Sequence, residues 1–323
     1  MSRPFAPRLR VSSYLSDWMP SGDTHFDYAG YALGGYAPSQ TAEIRKFNHS
    51  TESLSILSAT LTAQRRELAG LSSTTKGYAA AGINAGALVA AYDALTFSSE
   101  TRTSLAAVMA TNRFYPGGAS NFSVAGYVAG GTTATVTTSG HTANIEKFTY
   151  ATEASSVSVG SLAQTAFAPG NGSQNSGVAG YFAGGLRTYS PEVYNSDVFK
   201  IAFATDTISS PTSMSVAQYS GAMVSDNGTA LYMIAGGNAG GAISGTPVYK
   251  VPFATDTLAN TAMTCPSQGT VLITSNQIMG AGYYIGTATS RKITYATDTL
   301  STPSVTVSQT FSWCGVCDFN GVT

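Results

Sequence analysis

One short pattern recurs six times along this 323-residue chain and limits what it can fold into more than any other feature. A tyrosine among small residues, closing on paired glycines, appears as GYALGG from Gly30, GYVAGG from Gly126, GYFAGG from Gly180 and LYMIAGG from Leu231, and with the pair eroded as GYAAAG from Gly77. A degraded sixth copy is IMGAGYYIG from Ile278. Each is followed by a second motif: IRKFNHSTES, DALTFSSETR, IEKFTYATEA, FKIAFATDTI, YKVPFATDTL and RKITYATDTL. The repeat length is roughly 46–54 residues, which fits one unit of four short strands.

The strand pattern inside a unit supports this. In the fourth, strand a lies near FAPGNGSQNSG, strand b is VAGYFAGG, strand c is SDVFKIAFA and strand d is ISSPTSMSV. The TDT between c and d, and Asn227-Gly228 between a and b of the fifth unit, read as tight turns, the latter needing positive φ. The glycine pairs are expected where strand b packs too closely for a side chain, near a hub. The fold class is therefore all-β: a β-propeller of six four-stranded blades at about 18–65, 66–113, 114–165, 166–218, 219–266 and 267–309. Residues 1–17 form an N-terminal arm, and residues 310–323 are a closing or exchanged strand. The alternative is seven blades, the last built from both termini.

An acid stands in every copy of the second motif: Glu52, Glu100, Glu153, Asp206, Asp256 and Asp298. Three residues earlier stands His49, Phe97, Tyr150, Phe203, Phe253 or Tyr295. Lysine precedes in five units (Lys46, Lys147, Lys200, Lys250, Lys292), with Ala94 the exception. A catalytic carboxylate is normally unique, so acids repeated in every unit serve the fold. They are expected to hydrogen-bond the local c–d turn backbone, with the aromatics as packing between blades.

Together these motifs resemble kelch-like β-propeller repeats, and in particular those of tailed-bacteriophage tail-fibre or tail-associated virion proteins. The resemblance spans about residues 18–323, although the tryptophan that follows strand c in eukaryotic kelch repeats is missing. It implies a non-enzymatic virion structural protein, assembled in the host cytoplasm and used for assembly and host-surface glycan or protein binding. The implied partners are other tail or baseplate proteins and further copies of the chain. The runner-up classes are a carbohydrate-active or galactose-oxidase-like propeller enzyme and a non-viral kelch-type scaffold.

Composition narrows the function further. Charged residues are 10% of the chain against about 25% in ordinary domains, and the net charge of −1 leaves no footprint for nucleic acid. No apolar run has the length to cross a bilayer, so no membrane insertion is expected. The N-terminus has no apolar segment or cleavage site of a secretory signal. Three scattered histidines (His25, His49, His141) suit neither a metal centre nor a copper oxidase, and arginines grouped mostly in residues 3–10 and as Arg65-Arg66 do not suit a sialidase. No catalytic, cofactor-binding or metal-binding residues are expected.

Binding sites are expected in the b–c loops, which are longer in units three and four (TTATVTTSGHTAN and LRTYSPEVYNSD). The candidate contact residues are Thr138, Ser139, His141, Arg187, Tyr189, Glu192, Tyr194 and Asn195. Arg3, Arg8 and Arg10 mark a docking arm that orders on a neighbour. The sequence FSWCGVCDFNGVT places Cys314 and Cys317 on a strand, pointing to opposite faces. They are poorly set to share a metal. Cys265, Cys314 and Cys317 are instead candidates for a crosslink to a neighbour.

Overall fold

The computed structural model describes residues 29–36, 39–169, 173–175, 177–219, 221–226, 228–234, 237–238, 241–242, 247–264, 270–276, 280–286, 290–305 and 315–319. They are organised as six four-stranded antiparallel sheets, with three two-stranded hairpins and no α-helix among the described residues. Within each sheet the strand order is a-b-c-d. Sheet two is typical: Ala69–Ser72, Lys76–Ala80, Ala91–Thr96 and Thr101–Val108. Sheets three to six repeat this plan, with strand b at Ala125–Ala129, Ala179–Ala183, Ala230–Ile234 and Ala281–Gly286.

Sheet one departs from the chain order. Its strands b, c and d are Ala29–Tyr36, Gln40–Asn48 and Ser53–Thr60, but its strand a is Gly315–Phe319. Ala29 pairs with Phe319, Tyr31 with Cys317 and Leu33 with Gly315. The two ends of the described chain thus meet in one sheet. Strand a of every sheet also lies against strand a of the next, and that of sheet six lies against Gly315–Phe319.

Burial grades outward across each sheet. Strand b is enclosed on both faces and carries an uninterrupted run of buried residues, as at Ala125–Ala129. Strand c alternates, and strand d is mostly exposed, as in the Ser- and Thr-rich Ser53–Thr60. A short apolar strand covered on both faces needs no alternation, whereas the outer strand meets water. The buried residues fall into clusters shared by neighbouring sheets, such as Tyr127 and Ile145 of sheet three with Phe182, Ile201 and Phe203 of sheet four.

The glycine pairs are packed too closely for a side chain, as expected, and what they pack against is the connector to the next sheet. They follow strand b with positive φ (Gly184 +69°, Gly185 +101°), and the second N–H donates to the connector leading to the next sheet. Gly185 N–H reaches Gln218 O at 2.8 Å, as Gly35 N–H reaches Arg65 O. The turn before Thr229 does not depend on a left-handed Gly228. Asp226 Oδ1 holds it by accepting from the N–H groups of Gly228, Thr229 and Ala230 at 3.1, 2.6 and 3.0 Å.

Gly184 gives a direct test of the connector contact. A Cβ there would sit 2.2 Å from Gln218 O, on a backbone that L-residues adopt at a cost. Gly184→Ala is expected to lower stability by about 2 kcal/mol or more in denaturant unfolding. An unchanged midpoint would show that the connector does not press on this turn.

Candidate functional site

The six repeated acids do not serve their own turns, as the sequence reading expected. Each occupies the c–d turn with φ between 46° and 55° and sends its carboxylate across to the preceding sheet. Lys46 of sheet one pairs with Glu100 of sheet two at 2.7 Å, and Lys147 of sheet three with Asp206 of sheet four at 2.9 Å. Lys200 pairs with Asp256, Lys250 with Asp298 at 2.7 Å, and Lys292 of sheet six with Glu52 of sheet one at 2.8 Å. The strand-b tyrosine of each motif donates its hydroxyl to the same acid: Tyr181 to Asp256 and Tyr127 to Asp206, each at 2.7 Å.

The same tyrosine stacks on the aromatic residue three places before that acid. Tyr31–Phe97, Tyr127–Phe203, Tyr181–Phe253 and Tyr232–Tyr295 have ring centroids 5.2–5.4 Å apart. His49 fills this slot beside Tyr283, buried, with centroids 5.3 Å apart. Register explains the convergence. Tyr181 lies directly opposite Lys200 and Tyr232 opposite Lys250, so each lysine rests on its partner's ring as it reaches the acid.

Ala94 breaks the lysine pattern, yet the clamp survives. Lys76, two residues before Tyr78 at the start of strand b, reaches Glu153 at 2.8 Å, and Tyr78 donates to the same oxygen at 2.9 Å. Lys76 lies opposite Thr96, on the same strand pair as Tyr78 opposite Ala94. The charge has moved along the sheet.

Two buried ion pairs escaped the sequence reading. Arg65, in the connector before sheet two, bonds Asp93 at 2.8 Å and the carbonyls of Ala91 and Ala79 at 2.7 and 3.2 Å. Arg113, in the connector before sheet three, bonds Glu146 and the carbonyls of Gly130 and Asn144. Burial pushes both guanidinium groups down from their ordinary value, and the adjoining carboxylates offset this in part. The signal was present: each arginine stands four residues before its strand a, and each acid stands one before the lysine slot.

At the opposite end of the sheets, the b–c loops and connectors form an aromatic patch. Phe114, Tyr115, Phe167 and His141 run in contact, with His141 and Phe167 centroids 5.1 Å apart and Tyr115 and Phe167 4.6 Å apart. Tyr194 stacks on Tyr219 at 5.5 Å, and its hydroxyl donates to Glu192. The loop of unit four is a hairpin, Leu186–Tyr189 with Glu192–Tyr194. His141 joins the two loops, its ring nitrogens facing Arg187 O at 3.2 Å and Thr137 O at 2.8 Å. Beside the patch Glu67 is buried against Arg66. Burial pushes its carboxyl up to about 7, against the opposing pull of Tyr115 and Arg66.

The candidate residues are thus divided. His141, Arg187, Glu192 and Tyr194 are brought together, and Tyr189 is exposed at the hairpin tip. Thr138 and Ser139 are exposed on the unit-three loop. Asn195 is not a contact residue. It is 2% exposed, and its amide donates to Thr165 O at 3.3 Å. Arg3, Arg8, Arg10, Cys265 and Cys314 lie outside the described residues, and Cys317 is described through its backbone pairing alone. Among the described residues no group of three or more His, Cys, Asp or Glu is placed to hold a metal ion.

Many solved structures are similar to the fold described above. The solved structure of YjhT superposes with a TM-score of 0.54 at 12% identity, covering 68% of this chain and 75% of that one. The two share a fold. YjhT is a kelch-like propeller, so the sheets described above form a propeller-like all-β architecture. No protein-family model matches the sequence, and no curated protein matches it.

The clamps make the fold sensitive to acid. Burial raises the Asp298 carboxyl, but the hydrogen bonds from Lys250 and Tyr232 outweigh it and hold the group below its ordinary 3.8. Glu52 is likewise held below its ordinary 4.5, Lys292 and Ser304 outweighing burial. A depressed carboxylate contributes stability above its unfolded pKa and loses it as pH falls through the folded value. Asp298→Asn keeps a residue that tolerates positive φ and removes the charge. It should cost about 0.5–1 kcal/mol at neutral pH. In melting experiments from pH 7 to 2, the gap between variant and parent should close below pH 4. A constant gap would mean that the carboxylate's charge contributes nothing.

Proposed function

We propose that this chain is a non-enzymatic, six-bladed kelch-like β-propeller of a tailed-phage tail or fibre apparatus, whose b–c loop patch binds a partner. The blade count is supported by the clamps, which link sheets one to six in order and sheet six back to sheet one through Lys292 and Glu52. The strand Gly315–Phe319 supplies the fourth strand of the first blade, so no seventh blade is needed.

The observation that carries the binding reading is the contrast between the two uses of polar side chains. All six repeated acids are committed to inter-sheet clamps. The unit-three and unit-four loops, by contrast, present Tyr189 at 41% exposure and Val193 at 39%, with Arg187 and Glu192 beside them. Aromatic and arginine side chains on a rigid loop are favoured anchors in interfaces. Assignment to a phage particle rests on the resemblance of the repeats. The partner is another tail protein or a structure on the host surface.

Replacing the hairpin tip 188–193 with a Gly-Ser turn tests this. The shortened protein should melt within a few degrees of the parent, because the hairpin tip is outside the six four-stranded sheets. Particles carrying it should lose host adsorption or fail to incorporate the protein. Normal incorporation together with normal adsorption would overturn the reading.

A further inference from the structure

A groove of about 360 Å³ opens between sheets two and three, at the end of the sheets opposite the loop patch. Its walls are the a–b turn of sheet two (Ser73, Thr74, Thr75), the a–b turn of sheet three (Phe122, Ser123) and the c–d turn of sheet three (Ala151, Thr152, Glu153). The size is at the low end for small-molecule sites, about 300–1,000 Å³.

This interface is the one where the lysine slot holds Ala94. In the other five, a strand-c lysine crosses to the acid. Here a methyl group takes its place, and Lys76 reaches the acid from the edge of the a–b turn. The walls are held by backbone bonds. Thr74 N–H donates to Phe122 O at 3.0 Å, Tyr150 N–H to Val124 O at 3.0 Å, and Ser73 Oγ accepts from the N–H groups of Thr75 and Lys76. Both described bonds to the Glu153 carboxylate, from Lys76 and Tyr78, fall on Oε1. The described bonds to Glu100 likewise fall on Oε1, whereas Asp298 and Asp206 use both oxygens, and Glu52 spends its second on Ser304.

The groove therefore offers a carboxylate oxygen, an ammonium group, the exposed hydroxyls of Thr74, Thr75, Ser123 and Thr152, and the half-buried ring of Phe122. The ion pair is internally neutralised, so an anion or a cation would have to break it. A neutral ligand rich in hydroxyls can bond both charged groups at once while an apolar face lies on the phenyl ring. We propose that this groove binds one neutral sugar unit of a glycan, as a site separate from the loop patch.

The test uses the full chain and four free sugars (glucose, galactose, N-acetylglucosamine and rhamnose), titrated with saturation-transfer NMR as readout. At least one should bind at millimolar concentration. Ser123→Trp and Thr152→Trp, both at exposed turn positions, should weaken that binding at least tenfold with unchanged melting temperature. A third variant separates ligand binding from stability. The pair Lys76→Ala with Ala94→Lys returns the charge to the position used elsewhere, so it should keep the melting temperature and still lose the sugar. Binding by none of the four sugars, or binding that survives both tryptophan variants, overturns the proposal. If only the hairpin replacement at 188–193 abolishes sugar binding, the sugar belongs to the loop patch, and this proposal fails while the proposed function stands.

Discussion

The structure depends on one repeated contact: a carboxylate in the c–d turn of one sheet, held by a lysine and a tyrosine of the sheet before it. A propeller-like array has to solve a problem that a sandwich does not. Its sheets meet only face to face, and apolar packing between faces is tolerant of sliding and rotation. A charged, hydrogen-bonded pair with a stacked ring is directional, so it fixes the angle and height of each sheet on the next. Each clamp is half-buried, and its own contribution is of order 1 kcal/mol. Six of them together are comparable with the few kcal/mol by which a domain is stable. Placing the acid in the left-handed region costs some backbone strain, and that turn is what aims the carboxylate away from its own sheet.

Much of this was legible in the residues. The tyrosine–glycine and lysine–acid motifs mark strands b and c, because side-chain periodicity and turn chemistry are local properties. What one residue does to another sheet is not local. The acids read as turn formers because that is how an Asp in TDT behaves within its own hairpin. Their true partners lie 48 to 79 residues away in most of the clamps, and 231 and 240 residues away for Tyr283 and Lys292 with Glu52. Ala94 stood as an exception to the lysine pattern until register placed Lys76 on the neighbouring strand, two residues from the position opposite it. Asn195 looked like a loop contact because the hairpin it closes cannot be seen without its fold. The roles of Arg65 and Arg113 were not legible, since only the packed structure shows their carbonyl cages.

The proposed function separates structure from recognition. Along the sheets, charge is spent on holding neighbours together. At the b–c end, units three and four depart from the repeat and carry exposed aromatic and charged residues on a hairpin. At the other end, the single lysine relocation leaves a polar groove. Both features occur where the sequence breaks its own rule. A repeat protein keeps its scaffold by repetition and gains its specificity by exceptions.

In the proposed six-bladed ring, the pair that decides closure joins the last sheet to the first. A double-mutant cycle on Lys292→Met and Glu52→Gln, measured by denaturant unfolding, isolates that pair. The same cycle on Lys147→Met and Asp206→Asn provides the reference within the array. A closed ring predicts coupling at Lys292–Glu52 of about 0.5–1 kcal/mol, matching the reference pair. Coupling at Lys147–Asp206 with none at Lys292–Glu52 would contradict closure.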